Sequence, residues 1–283
     1  MFSLTRRSKR AYLLCLALVL LFLVSTQLNL KPSPKIISVS DPENFGALIG
    51  YGHRNNFLKM QNYHNMAMDD PELLKIVKSS IFQYPSSSTY NLSDISTTDF
   101  SRGQSLNIDN ANGQKEQGYF VDIGTGNGET GSVSLYFERE RHWTGLLIEP
   151  SLDLYNQMLN KHRQAVTANV CVRINATLDG RFFQDPTTTR VTPCLWLKSL
   201  LQATERTEID LLIIDVKNDE LNLLKTIPFD QINIKFISIA ISVEMPTSDF
   251  SNIITFLGGL GFNANTQFDN HVQHTRDIVF QHK

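Results

Sequence analysis

The chain has 283 residues, 41% of them apolar, which is enough to bury one good-sized core. Its formal net charge of −2 lacks the basic excess of a phosphate-binding surface, so no nucleic-acid partner is expected. Charge is nonetheless uneven, with Arg6, Arg7, Lys9 and Arg10 crowded into the first ten positions.

Directly after them, Ala11 to Leu30 carries no charged side chain. A bilayer-spanning helix needs ~20 apolar residues at ~1.5 Å rise each, and this run reaches that length. The basic flank assigns the N-terminus to the cytoplasm. Residues 1–10 therefore read as a cytoplasmic tail and 11–30 as a transmembrane signal anchor. A cleavable signal peptide is the alternative, although Val24-Ser25-Thr26-Gln27 matches a cleavage site poorly. Either reading sends the following residues into the secretory lumen. Cys171 and Cys194 are then the lumenal cysteines, Cys15 lying within the apolar run. In an oxidising compartment the pair suits one disulfide, with two buried thiols as the alternative. Asn91-Leu92-Ser93 and Asn175-Ala176-Thr177 are glycosylation sequons.

Residues 31–100 read as a lumenal stem and lead-in. Pro32 and Pro34 cannot extend the anchor helix. One helix is expected there, capped by Asp69 or Asp70 and opened by Pro71, with Leu73, Leu74, Ile76, Val77 and Ile81 as its apolar face. Pro85 to Thr98 reads as exposed, and Asn107 to Gln117 as loop or frayed helix. From Gly118 the texture changes. Short apolar runs at 119–123, 144–149, 165–172, 209–215 and 236–243 predict strands. Helices are predicted after the first strand to about 141, and over 151–161, 220–226 and 249–260. The stretch 261–280 suits a terminal hairpin. Near-continuous apolar strands alternating with helices predict an α/β fold whose largely parallel sheet is covered on both faces.

Chemistry concentrates at strand ends. Asp122 closes the first run and is followed by Gly124, Gly126 and Gly128, a GxGxG spacing. Glycines there let the backbone turn tightly and approach a ligand. The spacing is not the GxGxxG of dinucleotide enzymes, and no Gly-Lys-Ser/Thr follows as in a phosphate loop. Glu149 closes the next run, where a carboxylate can accept two hydrogen bonds from ribose hydroxyls. Asp215 closes the fourth. Together they predict an S-adenosylmethionine (SAM) site, with Asp122, Gly124, Gly126, Gly128 and Glu149 toward the cofactor. Asp215 is the candidate catalytic group, with Glu220 and Lys217 as weaker ones. For Lys217 the carboxylates of Asp215, Asp219 and Glu220 favour the charged ammonium, so a surface lysine is the plainer reading. No metal set is recognisable, and His271 and His274 read as surface histidines. Trp143 and Trp196 read as core or rim residues, and Glu244 as a strand end that faces either the pocket or solvent.

From Ser101 onward the chain resembles the FkbM-type methyltransferase domain, and within it the animal branch typified by the insect Star protein. The stretches that carry the resemblance are SRGQ from Ser101, GYFVDIGTGNGE from Gly118, WTGLLIEPSLDLY from Trp143, DLLIIDVKNDELNLLKTIPF from Asp210 and DIVF from Asp277. The resemblance implies a Rossmann-like class I SAM-methyltransferase fold with a seven-stranded, mostly parallel sheet over 101–283. It also implies a single-pass type II membrane protein of the endoplasmic reticulum or Golgi, with endosome and plasma membrane as further locations. Its implied work is vesicle-mediated transport of a transmembrane growth-factor-type cargo linked to EGF receptor signalling. The alternative is an active SAM-dependent O-methyltransferase acting on a glycan or small hydroxyl substrate. One departure bears on the choice: the family's Asp-Val-Glu-Gly-x-Glu reads Asp215-Val216-Lys217-Asn218-Asp219-Glu220 here. Lys217 reverses a charge beside the expected substrate pocket, and a site altered in this way is one that could have lost its cofactor.

Overall fold

The computed structural model describes residues 66–175, 182–185, 191–216, 219–270 and 275–283. The expected tail and anchor, most of the stem, Lys217, Asn218, His271 and His274 lie outside the described residues. Among those described, no helix is long and apolar enough to cross a membrane.

Helix α1 (Pro71–Ile76) starts where Asp70 accepts a hydrogen bond from the Glu72 amide at 2.8 Å. It runs on through a wider turn, Val77–Ile81, into strand β1 (Phe82–Gln83). Leu73, Val77 and Phe82 are buried in the main core, so residues 71–83 belong to the domain and not to a stem. Helix α2 (Gln104–Ala111) stands where loop or frayed helix was expected to begin. Its residues are indifferent helix formers, and tertiary contacts override them. Gln104 donates to Ser238 at 2.5 Å, Ser105 to the Val133 carbonyl at 3.1 Å, and buried Asp109 accepts from Tyr136 and Arg141.

The sheet core follows as β2 (Tyr119–Ile123), α3 (Ser134–Glu140), β3 (Thr144–Ile148), α4 (Leu152–Leu159) and β4 (Val166–Ala168). Three short strands come next: β5 (Cys171–Val172), β6 (Phe182–Gln184) and β7 (Val191–Leu195). The chain then continues through α5 (Leu197–Thr204), β8 (Glu208–Ile214), α6 (Glu220–Thr226), β9 (Asn233–Ser242), α7 (Thr247–Gly259), β10 (Phe262–Asn270) and β11 (Thr275–His282). The main sheet has the order β1-β4-β3-β2-β8-β9-β11-β10. Pairs from β4 through β9 are parallel, while β1, β10 and β11 join antiparallel. It holds eight strands where seven were expected, because the two-residue β1 pairs with the edge of β4.

Strand alternation sorts side chains into two layers. Val121, Ile123, Leu146, Ile148, Leu212, Ile214, Ile237 and Ile239 share one core with buried residues of α1, α5, α6 and α7. Phe120, Leu147, Leu211, Ile213, Phe236 and Val279 share the other with those of α2, α3 and α4. Asp122 is in phase with Phe120 and so faces α3, onto which the glycine loop leads. The run 165–172, expected as one strand, is broken after Ala168. β5 leaves the main sheet and pairs with β7 in a separate three-stranded insertion, where Cys171 and Cys194 are in register and joined by a disulfide.

Candidate functional site

The carboxyl ends of β2, β3 and β8 bring Asp122, the glycine loop, Glu149 and Asp215 to one end of the sheet. This is where an open α/β sheet accepts ligands. The loop leaves β2 in a conformation that suits glycine, with φ of 85° at Gly124, 59° at Gly126 and 75° at Gly128. A Cβ on Gly124 would stand 2.1 Å from the Asp215 carbonyl oxygen, so the loop packs directly on the strand that carries the third acid. At Gly126 a Cβ would meet nothing within 4 Å; this position faces open space. Asn127 closes the turn by accepting from the amides of Glu129 and Thr130 at 3.1 and 2.9 Å.

Glu149 is buried and joins two backbone elements. One carboxylate oxygen accepts from the Gly126 amide at 2.8 Å, the other from the Ser151 amide at 2.8 Å. Burial pushes its carboxyl up to about 7 against those two bonds, and the negative charges of Asp215 and Asp122 add to the rise. Asp122 lies beneath the loop and accepts from the Ser134 hydroxyl at 2.6 Å. Burial raises it to about 6; Ser134 and Arg163 oppose the rise, while Asp215 and Glu138 add to it. Three strand-end acids therefore share one electrostatic neighbourhood, with Asp215 half-buried at its edge. Glu220 is buried in the first turn of α6, just beyond the Asp215 turn. Glu244 is exposed after β9.

Under the loop sits a group with no local sequence signal. Arg163 is buried, pairs with buried Glu138 at 3.0 Å and donates to the Gly128 carbonyl at 2.6 Å. It also donates to Ser134 at 3.0 Å and so reaches Asp122 through that hydroxyl. The pairing spans 25 residues of sequence between a helix and a loop, and nothing in either stretch announces it. Glu129, the acid that ends the glycine motif, faces away from this group. It accepts from Ser93 twice at 2.6 Å and pairs with Lys161 at 2.5 Å. Ser93 is the hydroxyl residue of the first sequon, and Asn91 is exposed with its amide donating to the Asn160 carbonyl at 3.0 Å. Asn175 is exposed at the end of the described part of the insertion. A cavity of about 580 Å³ lies at the opposite ends of β8 and β9, lined in part by Glu208, Phe229, Asp230 and Phe262. It contains none of the expected site residues.

With β1 set aside, the sheet order and the loop-plus-acid site define a Rossmann-like fold of the SAM-methyltransferase type. The signature of the Methyltransferase FkbM domain matches residues 122–264, half of the chain, and the chain belongs to that family. Among solved structures, matches include the human methyltransferase 10 domain containing protein, at 11% identity and TM-score 0.41, over 87% of this chain and 99% of that one. The METTL16 MTase domain matches at 12% identity and TM-score 0.45, over 75% of this chain and 78% of that one. A TehB-like SAM-dependent methyltransferase from Corynebacterium glutamicum matches at 12% identity and TM-score 0.38, over 63% and 87%. No curated protein sequence matches the chain. Family membership makes SAM the candidate cofactor, and the residues fit it: an open glycine turn with one buried acid bonded to its Gly126 amide and a second beneath it.

Proposed function

We propose that this chain binds SAM at the glycine loop and directs its methyl group to an oxygen nucleophile of a glycan or small hydroxyl compound. The observation that carries the reading is the Glu149 carboxylate held at the Gly126 amide with Asp122 behind it. Glu149 offers two oxygens to vicinal ribose hydroxyls, which would replace its backbone donors. Asp122 supplies negative charge below the loop, suited to the amino end of the ligand. When bound, SAM supplies an electrophilic methyl on a positively charged sulfur. The chain's residues bind and orient it, and Asp215, next in the sheet, is the acceptor toward an incoming hydroxyl. Calorimetric titration of SAM into the full-length protein tests this. Micromolar binding that is lost in Asp122→Ala and Glu149→Ala supports it; a folded protein that takes up no SAM rules it out.

A second reading draws support from the Cys171–Cys194 disulfide together with the basic and apolar N-terminus. In it the chain is a type II membrane protein of the endoplasmic reticulum or Golgi. Its methyltransferase-like domain serves Star-like transport of a membrane cargo linked to EGF receptor signalling, and methyl transfer is dispensable. Lys217 in place of the family's glutamate favours this version. Cargo export that survives Asp215→Asn but fails without residues 1–30 would support it, and export lost in Asp215→Asn would sink it.

A further inference from the structure

We propose that the disulfide-stapled insertion β5–β7 is the positioning element for Glu149, with Asn169, Asp185 and Thr192 fixing the Glu149-Pro150-Ser151 turn against the glycine loop. The proposal rests on the reading of Glu149 as the cofactor acid.

Each residue of that turn is tied to the insertion or to its root. Asn169, at the break between β4 and β5, donates to the Glu149 carbonyl at 2.8 Å and to the Pro150 carbonyl at 3.3 Å. Thr192 on β7 donates to the Pro150 carbonyl at 2.7 Å. Asp185, just after β6, accepts from the Ser151 hydroxyl at 2.6 Å. Asp185 and Thr192 are themselves buried, so these bonds are made away from competing water. Ser151 then returns its amide to the Glu149 carboxylate at 2.8 Å. The chain of contacts runs from the insertion through the turn to the acid and on to the Gly126 amide.

The insertion needs help to hold this position. Its strands have two, three and five residues, too few for independent stability. The disulfide ties Cys171 at the root to Cys194 on the strand that carries Thr192. Beyond it, the Arg173 amide donates to the Leu195 carbonyl at 2.7 Å, and its guanidinium lies 4.6 Å from the Trp196 ring. Glu149 in turn needs to be held. A buried carboxylate beside two other acids gains by swinging into water, and the bonds from the Gly126 and Ser151 amides oppose that only while the turn holds the acid beside them.

The test uses the full-length protein and two independent readouts, amide hydrogen exchange at Gly126 and Ser151 and the Kd for SAM. In Thr192→Val, and in the Cys171→Ser/Cys194→Ser double variant, exchange at both amides rises about tenfold, the scale of one lost hydrogen bond. SAM binding weakens by a similar factor of about ten. Exchange at Ile237 and Ile239 in the sheet centre stays at the wild-type rate, and Thr192→Ser restores both readouts. Unchanged exchange at Gly126 and Ser151 in both variants would overturn the proposal. So would an equal rise at Ile237, which would make the insertion a support for the whole domain. If the wild-type protein takes up no SAM, the function proposed above fails, while the exchange rates still decide whether the insertion positions Glu149.

Discussion

The two ends of β2 and β3 are built from the same kinds of residue to opposite effect. At the amino ends Asp109 and Asp210 are each paired with a cation. Asp109 takes a two-pronged bond from Arg141 at 2.7 and 2.9 Å plus the Tyr136 hydroxyl. Asp210 holds Lys115 at 2.6 Å and the Tyr119 amide at 3.0 Å. Trp143 closes that end, its indole donating to the Lys115 carbonyl at 2.7 Å. At the carboxyl ends, Asp122 and Glu149 are held by a hydroxyl and by backbone amides, and their carboxyls are raised. Acids paired directly with cations stand at one end; at the other, Asp122 and Glu149 have no direct ion pair and suit the positively charged ligand proposed above.

That contrast can be broken at four points, beginning with the largest effect. Arg163 is the cation beneath the site, and Arg163→Met would leave the buried Glu138 charge uncompensated. A loss of about 4 kcal/mol in urea unfolding is expected, largely recovered when Glu138→Leu is added. Arg141→Met at the other end is expected to cost about 3 kcal/mol, since Asp109 is buried and Arg141 partly exposed. It should leave SAM affinity unchanged; a matched loss of SAM binding would erase the distinction between the two ends.

The third prediction concerns pH. Asp122 rises from 3.8 to about 6 and Glu149 from 4.5 to about 7 in the folded chain. The folded state therefore holds these protons more tightly than the unfolded one. The stabilisation is complete below about pH 4 and is lost as pH climbs through 6 to 7, by about 3 kcal/mol at Asp122. Urea midpoints measured from pH 4 to 8 should fall accordingly. Asp122→Asn should flatten the fall and stabilise the protein at pH 7 by about 2 kcal/mol while abolishing SAM binding. A profile that rises over this range would contradict the account of the site.

The smallest effect sharpens the comparison with one methyl group. In Gly118→Ala a Cβ would stand 2.5 Å from the buried Trp143 ring. Overpacking of about 1–2 kcal/mol is expected, with SAM binding intact. Gly124→Ala, by contrast, meets the Asp215 backbone and a φ of 85°, and should remove SAM binding. Equal effects from the two alanines on SAM affinity would show that the ends are not separable.

Most of the sheet was legible from short windows. β2, β3, β8 and β9 are apolar runs closed by an acid or a polar residue, and α6 occupies the expected residues 220–226. Asp70 and Pro71 likewise announced α1 from adjacent positions. α2 was not legible, because its polar residues are held by partners such as Ser238, 134 residues away from Gln104. The run 165–172 was read as one strand because it is mostly apolar; the break falls after Ala168, where the Asn169 side-chain amide donates to the Glu149 carbonyl.

What the order of residues decided alone is therefore local and periodic: strand, turn and helix, and the acids and glycines placed at strand ends. Backbone geometry converts such patterns into elements and faces without reference to the rest of the chain. What required the assembled fold is the pairing of polar groups. Arg163 beneath the loop, Ser134 on Asp122 and Asp185 on Ser151 join residues 12 to 35 positions apart. Any buried polar group must find a partner, but the packing of helices on the sheet chooses which one.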